Sequence, residues 1–214
     1  MRGKHLFDLV CSLVGLVLLT PLFAGIAVWI RVDSAGPVFF RQVRVGRHGR
    51  PFRIFKFRTM YTNAEARGRK ITVGDDPRIT RAGRFLRKFK LDELPQLFNV
   101  VKGEMSLVGP RPEVPRYVEF YPEEIRTLVL SVRPGITDIA SILYKDENTV
   151  LAGAGDPEAT YVNVVLPEKL KHYARYVSER TLWLDFKIIL MTLREILRRG
   201  ESGKRSRAKT GEAT

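Results

Sequence analysis

Asp92 and Glu93 are adjacent carboxylates at the end of a stretch otherwise dominated by cations. They head Leu91-Asp92-Glu93-Leu94-Pro95-Gln96-Leu97, where Pro95 is acceptable only in a first helical turn, so Asp92 falls near a helix N-terminus. Capping alone would account for both acids, because Asp is a common N-cap and Glu favours a first turn. Their surroundings ask for more. Arg87 stands about a helical turn upstream, Lys88 and Lys90 are close, and a helix N-terminus among cations is a phosphate site. A carboxylate held ionised there can attack phosphorus to form an acyl phosphate. Two anions repel, so bringing it to a diphosphate calls for a divalent cation. Neighbouring helical residues diverge by about 100 degrees, which gives the two acids separate roles.

Arg111 lies between Pro110 and Pro112 in Gly103-Glu104-Met105-Ser106-Leu107-Val108-Gly109-Pro110-Arg111-Pro112-Glu113. A stiff backbone there either preorganises its guanidinium for bidentate phosphate contact or makes it a structural arginine in a tight loop. Lys56 and Arg58 belong to an apolar-rich run and face either phosphate or solvent.

The elements that must position these groups follow from charge and periodicity. The chain has 214 residues, one cysteine, three histidines and a net charge of +14. Cys11 alone allows no intrachain disulfide and no cysteine-built zinc site, and His5, His48 and His172 are too scattered for a His-rich centre. Residues 31–90 hold 17 Lys/Arg against four acids, so nearly the whole positive excess sits in one block, which implies an anionic partner. That block follows the uncharged stretch Leu9–Ile30, long enough as a helix to cross a bilayer. Pro21 cannot donate to the Val17 carbonyl, while the Thr20 hydroxyl can reach Val17 or Leu16. Arg2 and Lys4 before the stretch, and Arg31, Arg41, Arg44, Arg47 and Arg50 after it, all favour the cytoplasm. A helix turning back at Pro21 keeps both sets on one side; a single-pass anchor with a proline kink is the other reading.

Val38–Val45 and Phe52–Arg58 read as two strands joined by a turn at 46–49. Residues 61–76 read as polar loop. Asp76 or Thr80 caps a helix over 81–90, with Ala82, Phe85, Leu86 and Phe89 on one face and Arg81, Arg84 and Lys88 beside it. That pattern fits a helix in a membrane interface or one packed on the protein's own core. Helices are expected at 93–101, 123–132, 168–177 and 182–199, a variable surface loop at 145–165, and a disordered basic tail at 200–214.

The run DDPRITRAGRFLRKFKLDELPQLFNVVKGEMSLVGPRPE, with RPGIT at 133–137, KFRTM at 56–60 and LDFKI at 184–188, resembles the bacterial sugar transferases, the monotopic phosphoglycosyl transferases. The likeness extends from about Lys4 to Arg199. No multi-span region precedes the motifs, so it is to the small catalytic-core form. It implies transfer of a phosphosugar from a UDP-sugar to polyprenol (undecaprenyl) phosphate, with release of UMP, as the first step of lipid-linked glycan assembly. Asp92 maps to the family's nucleophile, which forms a covalent phosphosugar intermediate with Mg2+, and Glu93 to its partner. Arg87, Arg111 and Asp185 map as phosphate-binding or site-organising residues, and Thr20-Pro21 to the break of a re-entrant helix, where the family commonly has Ser-Pro. After RPGIT many relatives continue Gly-Trp-Ala-Gln; here the residues are Asp138-Ile139-Ala140-Ser141, so sugar preference does not carry over.

The expected fold is a mixed α/β domain, predominantly helical, with one hairpin. A membrane helix covers 1–32 and the catalytic domain 33–199, at the cytoplasmic face of a bacterial inner membrane. Anionic membrane lipids are expected partners, and a homodimer is compatible with the sequence. A membrane-tethered nucleic-acid-binding protein would also use the basic block. No helix-turn-helix, RRM or zinc-finger pattern supports it, and the dyad and GPRP loop would be idle. A scaffold subunit that has lost catalysis sits poorly with intact Asp92 and Glu93.

Overall fold

Helix α1 runs unbroken from Arg2 to Asp33 in this computed structural model, whose described residues are 2–62, 76–143 and 147–210. It is long and apolar enough to cross a membrane. The break expected at Thr20-Pro21 does not interrupt the helical backbone. Pro21 is housed inside the helix, and the Thr20 hydroxyl donates to the Leu16 carbonyl at 2.8 Å, sealing the turn next to the missing N–H. One stripe of α1 packs on the rest of the chain along its length. Asp8, Ser12, Ile26 and Ile30 are buried, a Cβ on Gly15 would touch Leu97, and Phe23 meets Phe57 edge-to-face at 5.2 Å. Val10, Val14, Val17, Leu18, Val28 and Val32 remain exposed.

Strands β1 (Phe39–Val45) and β2 (Pro51–Phe57) form the expected antiparallel hairpin, with Arg44 opposite Phe52 and Phe40 opposite Lys56. His48 (φ 59°) and Gly49 (φ 74°) supply the left-handed backbone of its turn. Period-two alternation puts Gln42, Arg44 and Lys56 on one face of the hairpin. Helix α2 (Arg81–Lys88) starts at Thr80, whose hydroxyl accepts from the Gly83 N–H at 2.9 Å; Asp76 instead binds Arg78. Ala82 is buried and Leu86 packs with Ile26, Ile30 and Phe57, while Phe85 stays exposed beside Trp29 and Phe89, so α2 is part core helix and part surface helix.

A 3-10 turn over Leu91–Gln96 carries the dyad and leads into α3 (Leu97–Val101). Strand β3 (Ser106–Val108) pairs in parallel with β4 (Gly135–Thr137), bringing the GPRP and RPGIT motifs together. Between them lie α4 (Pro115–Val118) and α5 (Glu123–Val129). After β4 come α6 (Ile139–Leu143), α7 (Glu147–Ala152), α8 (Pro157–Thr160), a wide helical turn at Tyr161–Val165, α9 (Leu166–Glu179) and α10 (Leu182–Thr210).

Two sequence expectations fail here. Within the loop expected at 145–165, the described residues 147–165 are largely helical rather than a surface loop: Leu151, Tyr161 and Val165 are buried with Leu166, Leu170 and Tyr173. Its helices are too short for a clear period, although Asp156 caps α8 through the Glu158 and Ala159 N–H groups. Helix α10, expected to end at Arg199, continues through Gly200 to Thr210. Most of the 61–76 loop lies outside the described residues. The mixed, predominantly helical fold matches expectation.

Candidate active site

Lys90 is the hinge of the site. Its backbone is left-handed (φ 54°), uncommon for a residue with a Cβ, and it turns the chain from α2 into the 3-10 turn that presents Asp92 and Glu93. Glu93 faces the hairpin. Its carboxylate accepts from Lys56 Nζ at 2.7 Å, and Arg111 engages both of its oxygens, one at 3.1 Å. The Glu93 side chain is 13% exposed and that of Lys56 17%. Burial alone would raise the Glu93 carboxyl, but Arg111 and Lys56 outweigh it and hold the group well below the usual range. The Arg111 guanidinium, with Glu93 against it, is pushed up. Glu93 is therefore a fixed anion that aligns two cations, poorly suited to accept a proton.

Asp92 has the opposite environment. Among the described residues no hydrogen bond reaches its carboxylate. Burial first, and then the Glu93 charge, raise it above the ordinary carboxylate value, against the pull of Lys56, Arg87 and Arg111. Arg87 donates through Nε to the Thr59 hydroxyl at 2.9 Å, and its side chain makes no other hydrogen bond among the described residues, which leaves its terminal nitrogens for an anion. The result is a carboxylate without a hydrogen-bond partner between one available guanidinium and a locked cation–anion triad. A carboxylate in such surroundings is chemically able to attack a phosphorus whose oxygens an arginine holds.

Mg2+ is implied by the family resemblance. Among the described residues no group of three or more His, Cys, Asp and Glu side chains could hold a metal. Magnesium binds commonly through one or two carboxylates plus substrate phosphates. A lone carboxylate such as Asp92 fits that mode.

Two candidates from the sequence are engaged elsewhere. Arg58 is buried and donates to the carbonyls of Ile30, Ser34 and Ala35 and to the Ser34 hydroxyl. It satisfies the C-terminal carbonyls of α1 and the turn after it, where a cation suits the helix dipole. Asp185, 1% exposed, accepts from Lys4 Nζ and the Tyr176 hydroxyl, both at 2.6 Å. Asp92, Glu93, Arg87, Lys56 and Arg111 are the set brought together.

Arg44 escaped the sequence reading as a site residue. It donates to the Pro112 carbonyl at 3.1 Å and to Gln42 Oε1 at 2.6 Å, and lies 3.7 Å from Glu113, bracing the far side of the GPRP loop. Glu113 in turn accepts from the Tyr161 hydroxyl at 2.7 Å. The available signal was the strand alternation that puts Arg44 on the Lys56 face.

Comparison with known proteins gives the family. The family model for the bacterial sugar transferases matches residues 1–199, and the chain belongs to that family. The UDP-N-acetylgalactosamine-undecaprenyl-phosphate N-acetylgalactosaminephosphotransferase of Aeromonas hydrophila is 39% identical over 196 residues, 91% of this chain and 43% of that protein. The undecaprenyl-phosphate glucose phosphotransferase of Komagataeibacter xylinus is 40% identical over 206 residues, 93% of this chain and 37% of that protein. EpsL of Bacillus subtilis (strain 168), named as an uncharacterized sugar transferase, is 36% identical over 194 residues, 91% of this chain and 87% of its own length. This chain thus spans less than half of the first two relatives.

Proposed function

We propose that the protein transfers a sugar phosphate from a UDP-sugar to undecaprenyl or another polyprenol phosphate, in two displacements at one phosphorus. The observation that carries this is the contrast inside the dyad: Glu93 is locked by Lys56 and Arg111, while Asp92 beside it accepts no hydrogen bond among the described residues.

An Asp92 oxygen attacks the phosphorus that bears the sugar. A P–O bond forms, the P–O bond to the bridging oxygen breaks, and UMP departs with that bonding pair. The enzyme is left carrying an aspartyl phosphosugar. A phosphate oxygen of the polyprenol phosphate then attacks the same phosphorus, freeing the Asp92 carboxylate and giving polyprenyl diphosphate sugar. Arg87 holds phosphate oxygens, and Arg111, kept in place by Glu93, faces the charge that develops. Mg2+, when bound with the diphosphate at Asp92, would offset the repulsion between carboxylate and substrate.

Incubation with Mg2+ and UDP-glucose, UDP-galactose or UDP-N-acetylgalactosamine, without lipid, tests this. One of these donors should add a single sugar phosphate to Asp92 and release equimolar UMP, and Asp92→Asn should abolish both. An adduct at another residue, or full turnover by Asp92→Asn, would refute the nucleophile.

The working surface is proposed to be the cytoplasmic face of the membrane. The exposed apolar side of α1 and the exposed Leu182, Trp183, Phe186, Leu190, Leu193 and Leu197 of α10 supply a lipid-facing surface. The basic block beside it favours anionic headgroups.

A further inference from the structure

Asp8 is an ionisable residue inside an apolar helix, 2% exposed, and it does not touch the dyad. Its Oδ2 accepts from the Ser106 hydroxyl at 2.7 Å and its Oδ1 from the Leu107 N–H at 3.3 Å. The next residue of the strand is held from the other side, where the Tyr176 hydroxyl lies 3.0 Å from the Val108 carbonyl and 2.6 Å from Asp185 Oδ1. Lys4 closes the arrangement, with Nζ 2.6 Å from Asp185 Oδ2 and 3.8 Å from Asp8 Oδ2. All three residues of β3 are therefore gripped by one carboxylate from α1 and one tyrosine–carboxylate pair from α9 and α10.

Stability alone is a weak reason for such a cluster. Buried ionic groups can often be replaced by apolar ones of similar volume at no loss, and charge in a membrane-seated segment is costly. What the cluster controls lies two residues further on. Gly109 N–H donates to the Thr137 carbonyl at 3.1 Å, Gly135 N–H donates to the Pro110 carbonyl at 2.9 Å, and the next residue, Arg111, grips Glu93. The path from Asp8 to Arg111 runs through short backbone links with no flexible side chain between them.

We infer that Asp8 and Asp185, bridged by Lys4, are positioning residues that set the strand Ser106–Val108 and so aim Arg111 and Glu93 beside Asp92. As a statement about catalysis this rests on the proposed transfer reaction; as a statement about the loop it does not. The seating of α1 against α10 thereby becomes a condition for an ordered phosphate site.

The full chain in detergent or nanodiscs tests it, with Asp8→Asn, Asp185→Asn and the double variant, and UDP-N-acetylgalactosamine with Mg2+ as the probe. Each variant should load Asp92 about tenfold or more slowly at saturating donor, the size of effect expected from a misplaced group, with donor KM changed far less. The double variant should be no slower than the slower single one, because the two act as a unit. Lys4→Arg should keep the rate and Lys4→Met should lose it. Independently of any substrate, backbone hydrogen exchange across residues 106–111 should speed up in both single variants. Unchanged loading in all variants would overturn the inference, as would additive losses that merely track melting temperature with exchange at 106–111 unaltered. If the wild type loads with none of UDP-N-acetylgalactosamine, UDP-glucose and UDP-galactose, the reaction proposal falls, and the exchange measurement alone decides whether the two carboxylates order the loop.

Discussion

Gly135 and Gly109 meet backbone to backbone: a Cβ on Gly135 would stand 2.1 Å from the Gly109 nitrogen. The GPRP loop can rest on β4 only because neither residue carries a side chain there. Gly135→Ala should push the two strands apart, costing on the order of 1–3 kcal/mol as overpacking does. Arg111 would then leave Glu93, so the variant should lose loading of Asp92 more severely than its melting temperature falls. A variant that melts normally and loads normally would show that the loop tolerates displacement.

The pH dependence of loading should have an acid limb set by Asp92, because only the carboxylate attacks. Burial and the Glu93 charge place that limb above the ordinary carboxylate range. Glu93→Gln removes the neighbouring anion and leaves Lys56 and Arg111 facing Asp92, so the limb should move to lower pH even as the maximal rate drops. Stability has its own sign. The depressed Glu93 carboxyl contributes stability above its ordinary unfolded value, and that contribution is lost as pH falls through the depressed value. The Glu93→Gln protein should therefore melt below wild type at neutral pH, with the gap closing only in strong acid. Loading rates and melting curves across pH check both signs; a limb displaced toward higher pH would contradict the assignment.

Arg58 separates structure from substrate binding. Its guanidinium donates to the Ile30, Ser34 and Ala35 carbonyls, and hydrogen bonds to charged groups contribute about 1.5–3 kcal/mol each. Arg58→Met should lower the melting temperature while donor KM, measured below the melting transition, stays near wild type. Arg87→Met should do the reverse, raising donor KM with little thermal effect, since beyond Thr59 its side chain makes no hydrogen bond among the described residues. A raised donor KM in Arg58→Met would return that residue to the phosphate site.

Local rules were enough for the hairpin, α2 and its Thr80 cap, and the dyad at the start of a helical turn: alternation, a capping hydroxyl and a proline each act within a few residues. They also marked Arg87, Lys56 and Arg111 as candidate phosphate groups, although nothing local placed Lys56 and Arg111 against Glu93. Where Arg58 points is decided by the end of α1, a partner 24 residues away for the Ser34 contact, and a strand pattern carries no such information. The same holds for Asp8, which meets Ser106 across 98 residues, and for Arg44, which meets Pro112 across 68. The segment 145–165 was misread because its helices are shorter than the period that identifies one, and packing on α9 rather than propensity makes them helical.

The two ends of α1 are held by the same domain, which makes a same-side membrane seat the expected topology. Near the start, Lys4 and Asp8 bond to Asp185 and Ser106. At the end, Asp33 accepts from the Ala82 N–H at 3.0 Å, and Arg58 holds the last carbonyls. Both ends thus pack on the same polar domain. A helix of 32 residues is about 48 Å long, against a hydrocarbon core of about 30 Å. Standing upright, it would drag one end of that domain through the bilayer. A re-entrant or shallow seat, with both ends at one membrane surface, keeps every one of these contacts in place. Gly3 is a suitable reporter, because a Cβ there meets nothing within 4 Å. In a Cys11→Ser background, Gly3→Cys should resist an impermeant thiol reagent added to intact cells and react once the cells are opened. Labelling from outside would mean that α1 crosses the membrane, and the contacts of Lys4 and Asp8 with the domain would have to break to allow it.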